Sequence, residues 1–191
     1  MAVLGIFGTE TADVASSIYY GLYALQHRGQ ASCGIVVNDD GVFHAYKDSG
    51  LVNEVFTPNV MRSLGMGQLA IGNVRYGTAA TKDRINAEPI VVNHSKGKMA
   101  ISLDGKLVNG EKNKNEMEMR GSIFHTGNDA ELISAVIIKE RIRSASIEEA
   151  VCKAMARLKG AYSLVIMSPQ KLIVARDAYG FKPLCFGQRS D

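Results

Sequence analysis

Apolar residues recur along this chain with two different periods, and the changes of period mark out its elements. Residues 4–7 are a short apolar run that reads as an opening strand. Between 11 and 27 the period lengthens. Val14, Ala15, Ile18, Leu22 and Leu25 fall on one face of a helix that Gly29 ends. Residues 33–37 form a buried-type strand, Asp39-Asp40-Gly41 a turn, and 42–46 the returning arm of a hairpin. Pro58 after Thr57 starts a short helix. Strands are predicted over 69–74, 90–92 and 99–103, and a polar stretch follows at 109–115. A second long helix covers 130–142, with Leu132, Ile133, Val136 and Ile137 on one side. Ser146 and Glu149 have the spacing of a capping box. The helix they open carries a stripe of Ile147, Val151, Ala154, Met155 and Leu158 and ends at Gly160. Strands over 162–167, 172–175 and 183–186 close the chain. Strands and helices are grouped rather than strictly alternating, which favours an α+β arrangement of largely antiparallel sheets with helices on their outer faces.

Composition narrows the function without naming it. At 191 residues the chain fits one domain, 1–191. A net charge of +3 is too weak and too evenly spread to argue for nucleic acid. Lys139, Arg141 and Arg143 read as a solvated helix end. No apolar run is long enough to span a bilayer, and residues 1–8 lack the features of a leader. The 3 cysteines, Cys33, Cys152 and Cys185, read as reduced thiols, with Cys152 and Cys185 in the core. A cytoplasmic protein is expected. His27, His44, His94 and His125 are scattered without metal-ligand spacing, so neither a metal nor a cofactor is expected.

Several segments, in order and spacing, resemble the glutaminase domain of amidophosphoribosyltransferases, the class II glutamine amidotransferase type. Leu4-Gly5-Ile6-Phe7-Gly8 resembles that family's Cys-Gly-Ile-Phe-Gly start. Residues 20–30, ending Gln26-His27-Arg28-Gly29-Gln30, resemble its first helix and turn. Gly72-Asn73-Val74-Arg75-Tyr76-Gly77-Thr78 is similar to Gly-His-Val-Arg-Tyr-Ser-Thr, and Asn86-Ala87-Glu88-Pro89 to Asn-Ala-Gln-Pro. Asp104-Gly105-Lys106-Leu107-Val108-Asn109 is similar to Asn-Gly-Asn-Leu-Val-Asn. Residues 126–131 resemble Thr-Ser-Asp-Thr-Glu, with Asp129 on the aspartate, and 176–184 resemble Arg-Asp-Pro-x-Gly-Phe-Arg-Pro-Leu. The resemblance covers essentially the whole chain. It implies a four-layer αββα sandwich of the N-terminal-nucleophile (Ntn) hydrolase type, with two mostly antiparallel sheets.

The resemblance also implies a chemistry. In the family an N-terminal cysteine attacks the side-chain amide of glutamine, and its own α-amino group serves as the base. An Asn side chain and the next Gly N–H hold the oxyanion. An arginine takes the substrate α-carboxylate, and an aspartate its α-amino group. On this chain the nucleophile position holds Leu4, and no Ser, Thr or Cys precedes Thr9. The oxyanion position holds Asp104, a carboxylate that accepts hydrogen bonds but cannot donate them, followed by Gly105. Arg75, Tyr76, Thr78 and Asp129 remain for substrate binding. The losses fall on bond breaking while the amino-acid clamp is kept, so a catalytically silent glutaminase domain is expected, with glutamine or glutamate as candidate ligands.

Each of these residues also has a structural reading. Leu4 can fill the space of the thiol with core packing, Arg75 can form a structural ion pair, Asp104-Gly105 can be a plain turn, and Asp129 can cap the helix that follows it. Cys33-Gly34-Ile35 mimics the family's start, but cleavage there would discard the first strand and helix. No phosphoribosyltransferase signature occurs in this chain. Such a domain as partner, or a homo-oligomer, is an expectation, and alternatives are the N-terminal domain of a working amidophosphoribosyltransferase fed by free ammonia, or a structural assembly module.

Overall fold

A computed structural model describes residues 1–9, 12–77 and 84–188. It has two four-stranded sheets, each wholly antiparallel, stacked between helices. The first sheet has the order β1-β4-β2-β3, built from β1 (Ala2–Phe7), β2 (Ser32–Asp39), β3 (Val42–Ser49) and β4 (Leu69–Arg75). The second has the order β5-β6-β7-β8, from β5 (Ile90–His94), β6 (Gly97–Leu107), β7 (Gly160–Met167) and β8 (Leu172–Arg176). Helix α1 (Val14–Ala24) covers the first sheet with the short α2 (Val52–Val55) and α3 (Pro58–Leu64). Helices α5 (Asp129–Arg141) and α6 (Ile147–Met155) cover the second, and α4 (Gly110–Glu118) packs against α5. The αββα sandwich expected from the resemblance is therefore the fold observed.

Three apolar layers follow from strand alternation. Between α1 and the first sheet lie Ile18, Leu22, Ile35, Val37 and Val74. Between the sheets lie Val36, Ile71, Ala100, Val165 and Met167. Between the second sheet and its helices lie Leu103, Ile133, Ile137, Leu164 and Ile166. Strands β2, β4 and β7 bury side chains on both faces, which is why they read as unbroken apolar runs.

Some predicted elements differ. The polar stretch from 109 is helix α4, which buries only Gly110 and Met117 and so has no apolar stripe to betray it. Residues 183–186 form no strand. The first helix ends at Ala24, and Gln26–Arg28 is a separate turn of 3₁₀ helix. The cap of α5 is Asn128, whose side chain accepts from the Ala130 N–H (2.9 Å), and Asp129 is the first helical residue rather than the cap. Ser146 caps α6 as expected, accepting from Glu149 N–H (3.2 Å), while the Glu149 carboxylate accepts from Ala145 N–H (2.9 Å). Cys152 and Cys185 are exposed rather than core residues, and Cys33 is buried.

Alternation along β1 also orients Leu4. Ala2, Leu4 and Ile6 face the helical layer, whereas Val3 packs between the sheets. Leu4 reaches the helix where α1 has no side chain: a Cβ at Gly21 would collide with Leu4 Cδ2. Overpacking of this kind costs about 1–3 kcal/mol, and alanine inside a helix returns about 1 kcal/mol over glycine, so Gly21→Ala is expected to lower urea-unfolding stability by up to about 2 kcal/mol. In a Leu4→Ala background the added methyl has room, and Gly21→Ala is expected to raise stability there by about 1 kcal/mol. An equal cost in both backgrounds would show that Leu4 does not fill this space.

Candidate functional site

The site residues converge where the ends of β4 and β6 meet the start of α5, and the segment 84–89 before β5 brings Glu88 into their midst. This segment passes close over Gly34 of the first sheet, where a Cβ would strike the Glu88 carbonyl. Lys47 on β3 holds it down, donating to the carbonyls of Ala87 (2.6 Å) and Pro89 (3.2 Å). A cavity of about 300 Å³ opens beside it, with Ile35, Tyr46, Lys47, Arg84 and Pro89 in its walls.

Glu88 is buried, and its carboxylate gathers donors from three elements. Leu103 N–H of β6 donates at 2.6 Å, the Asn128 amide at 2.8 Å and the Asn73 amide of β4 at 3.3 Å. Arg75 Nε lies 4.0 Å from its other oxygen. Asn73 also donates to the Leu103 carbonyl (3.2 Å), and Asn128 to that of Asn86 (2.9 Å). Burial pushes the Glu88 carboxyl up to about 7, against the opposing pull of the Leu103 N–H, the Asn128 amide and the charges of Arg75 and Lys47.

Asp104, on β6, is also buried, and it sits among cations. Arg28 Nη2 is at 3.4 Å, Lys182 Nζ at 3.8 Å and the Met1 ammonium at 3.9 Å. The first two are placed by local chemistry. Gln26 accepts from Val52 N–H (2.6 Å) and donates to the Gly29 carbonyl (2.6 Å), which fixes the turn that carries Arg28. Asp177 accepts from the N–H groups of Tyr162 (3.2 Å), Tyr179 (2.9 Å) and Phe181 (3.2 Å), shaping the turn before Lys182. Gly105 follows with φ 149°, and a Cβ there would run into the Ala161 carbonyl, so glycine is required.

Asp129 is anchored rather than open. Its carboxylate accepts from Leu107 N–H (2.9 Å) and pairs with Lys106 Nζ (3.1 Å). A cavity of about 170 Å³ lies on this side, with Lys106, Glu111, Lys114, Thr126 and Asp129 among its walls. Glu131 holds one wall in place, accepting from the N–H groups of His125 and Thr126 and from the Thr126 hydroxyl.

The structure thus groups Arg75 and Asp129 around Glu88 and Asn128, with Asp104 and Gly105 on the adjoining strand. Tyr76 is exposed, and Thr78 lies outside the described residues. Leu4 turns its side chain into the helical layer, and the Met1 ammonium, just before β1, reaches Asp104. Cys33 offers no replacement nucleophile. Burial first, then Asp48 and Glu54, pushes its thiol up to about 12, which opposes thiolate formation. Sequence reasoning missed Glu88, Asn128, Arg28 and Lys182 as site residues. Glu88 had one visible signal, an acidic residue where the family motif has neutral Gln.

Among the described residues no group of three His, Cys, Asp or Glu side chains is placed to hold a metal ion, and no helix is long and apolar enough to cross a membrane.

With this sandwich and this cluster of motifs, the chain belongs to the family described as the glutamine amidotransferase domain, which matches residues 77–191. Within it the likeness is to the amidophosphoribosyltransferases. The enzyme of that name from Methanocaldococcus jannaschii is 43% identical over 186 residues, 97% of this chain and 39% of that protein. The structure of glutamine phosphoribosylpyrophosphate amidotransferase from B. subtilis, complexed with ADP and GMP, matches with a TM-score of 0.86 and 37% identity, over 99% of this chain and 40% of that one. A structure described as the allosteric regulatory enzyme of purine biosynthesis matches with a TM-score of 0.84 and 38% identity, covering 93% of this chain and 37% of that one. The chain thus spans about two fifths of the length of these relatives.

The buried Glu88 makes stability depend on pH. Its folded value near 7 lies above the ordinary 4.5. As pH rises between these values the unfolded chain loses its proton first, so stability is full below about 4.5, falls through 7 and levels off above. The two values bound the effect at about 3 kcal/mol. Urea unfolding at pH 5 and pH 8 is expected to show the wild type losing stability at the higher pH, with much of that loss absent in Glu88→Gln/Asn128→Ser. The same pH dependence in both proteins would remove Glu88 as its source.

Proposed function

We propose that this domain keeps the glutaminase architecture of the amidophosphoribosyltransferases, a purine-biosynthesis family, and does not hydrolyse glutamine. The observation that carries this reading is Leu4. The residue at the nucleophile position has no atom able to attack a carbonyl, and its side chain is committed to packing against Gly21. Asp104 supports it independently. A buried carboxylate among Arg28, Lys182 and the Met1 ammonium presents negative charge where a developing oxyanion requires hydrogen-bond donors. Loss of one such donor typically costs on the order of 10²–10³ in rate, and a like charge in its place is worse.

On this reading Arg75, Tyr76, Thr78 and Asp129 are what remains of an amino-acid clamp, and Leu4, Asp104 and Gly105 mark the vestigial reaction centre. The domain works with a phosphoribosyltransferase segment, joined to it or separate, because the relatives it matches run to more than twice its length. Steady-state assays of ammonia release from glutamine are expected to give only the spontaneous rate, in the wild type and in Arg75→Ala alike. Release by the wild type that disappears in Arg75→Ala would overturn the proposal.

A further inference from the structure

Three positions at the site carry a charge where the family motif is neutral: Glu88 for Gln, Asp104 for Asn and Lys106 for Asn. Unrelated substitutions would scatter these charges with respect to their surroundings. Instead each faces an opposite charge. Glu88 lies 4.0 Å from Arg75, Lys106 lies 3.1 Å from Asp129, and Asp104 lies 3.4 Å from Arg28 and 3.8 Å from Lys182. Asn128 completes the first pairing. It stands where the motif has Ser, and its amide donates to the Glu88 oxygen that faces Arg75 (2.8 Å). The other oxygen accepts from Leu103 N–H (2.6 Å), so both oxygens of Glu88 are held and the carboxylate cannot turn away from Arg75.

We propose that Glu88 and Lys106 are built-in counter-ions of the amino-acid clamp, the carboxylate occupying Arg75 and the amine occupying Asp129, so that the site excludes free α-amino acids, glutamine and glutamate included. This rests on the clamp reading given above and specifies what the silent site binds. A zwitterionic amino acid needs a cation for its carboxylate and an anion for its ammonium. Above pH 7, where Glu88 is ionised, its carboxylate would approach Arg75 against that charge. Its ammonium would approach Asp129 beside Lys106, in a cavity that also carries Lys114, with Glu111 as the one further carboxylate in its walls. Asp129 is in addition tied to Leu107 N–H (2.9 Å). The two clamp charges, Arg75 and Asp129, each already face an opposite charge from within the chain.

The test is isothermal titration at pH 8, where Glu88 is ionised, of glutamine and of glutamate into the full chain, with ammonia measured in the same samples. The wild type is expected to show no saturable binding at millimolar ligand. Glu88→Gln/Lys106→Asn/Asn128→Ser, which restores the neutral motif residues, is expected to bind glutamine at least about tenfold more tightly than any wild-type limit. Adding Arg75→Ala should abolish that binding. Wild-type binding as tight as the triple variant's, or a folded triple variant that does not bind, would overturn the inference. If the triple variant does not fold, Lys106→Asn decides alone. It changes an exposed side chain and removes the cation beside Asp129; titrated at pH 5, where Glu88 is protonated and no longer opposes a carboxylate at Arg75, it is expected to bind more tightly than the wild type at that pH, and no change would overturn the inference. Wild-type binding without ammonia release would sink the counter-ions and leave the silent-domain reading standing, whereas ammonia release would sink that reading itself.

Discussion

The structure turns on one buried carboxylate. Glu88 has no access to water, and an unpaired charge in such a place is not tolerated, so the surrounding backbone and side chains must satisfy it. The donors come from β4, β6 and the cap of α5, which belong to different layers of the sandwich. Satisfying Glu88 therefore fixes how the first sheet, the second sheet and α5 meet. Arg75 and Asp129 hang on the same junction, one facing the carboxylate and the other beginning the helix that Asn128 caps. Fold and site thus share a single electrostatic arrangement.

How much of this was legible in the sequence depended on whether the cause was local. Strands β2, β4 and β7 are apolar on both faces and announce themselves. Helix α4 rests on the surface with little buried, so its sequence carries no period. The stretch 183–186 has strand-like residues and forms no strand, because propensity alone does not supply a pairing partner. At the site, the departures at Leu4 and Asp104 were readable because each stands inside a motif. The pairing of Glu88 with residues 15 and 40 positions away was not, since only folding brings them together. The placement of Asp129 as first helical residue, with Asn128 as cap, turned on one hydrogen bond that either residue type can make.

The charges of the site explain how two carboxylates persist there with different roles. Glu88 meets mainly amides, a backbone N–H and one guanidinium, and burial dominates. Asp104 meets three cations, one of them presented by a turn built on Gln26 and another by a turn built on Asp177. Burial of Asp177 alone would raise its carboxyl, but the backbone N–H groups of Tyr162, Tyr179, Phe181 and Gly180 outweigh it and hold the group below its ordinary range. That turn is therefore built on an anion at neutral pH, and so is the position of Lys182.

The contact of Leu4 with Gly21 ties the identity of position 4 to the stability of the fold. A leucine that fills the space over a side-chain-free helical position has become part of the sandwich's foundation. A smaller residue returned to position 4 would leave a void between β1 and α1, and a void has a cost whatever chemistry the new residue offers. Position 4 is thus constrained by packing alone: a change there is felt by the helix as well as by the strand.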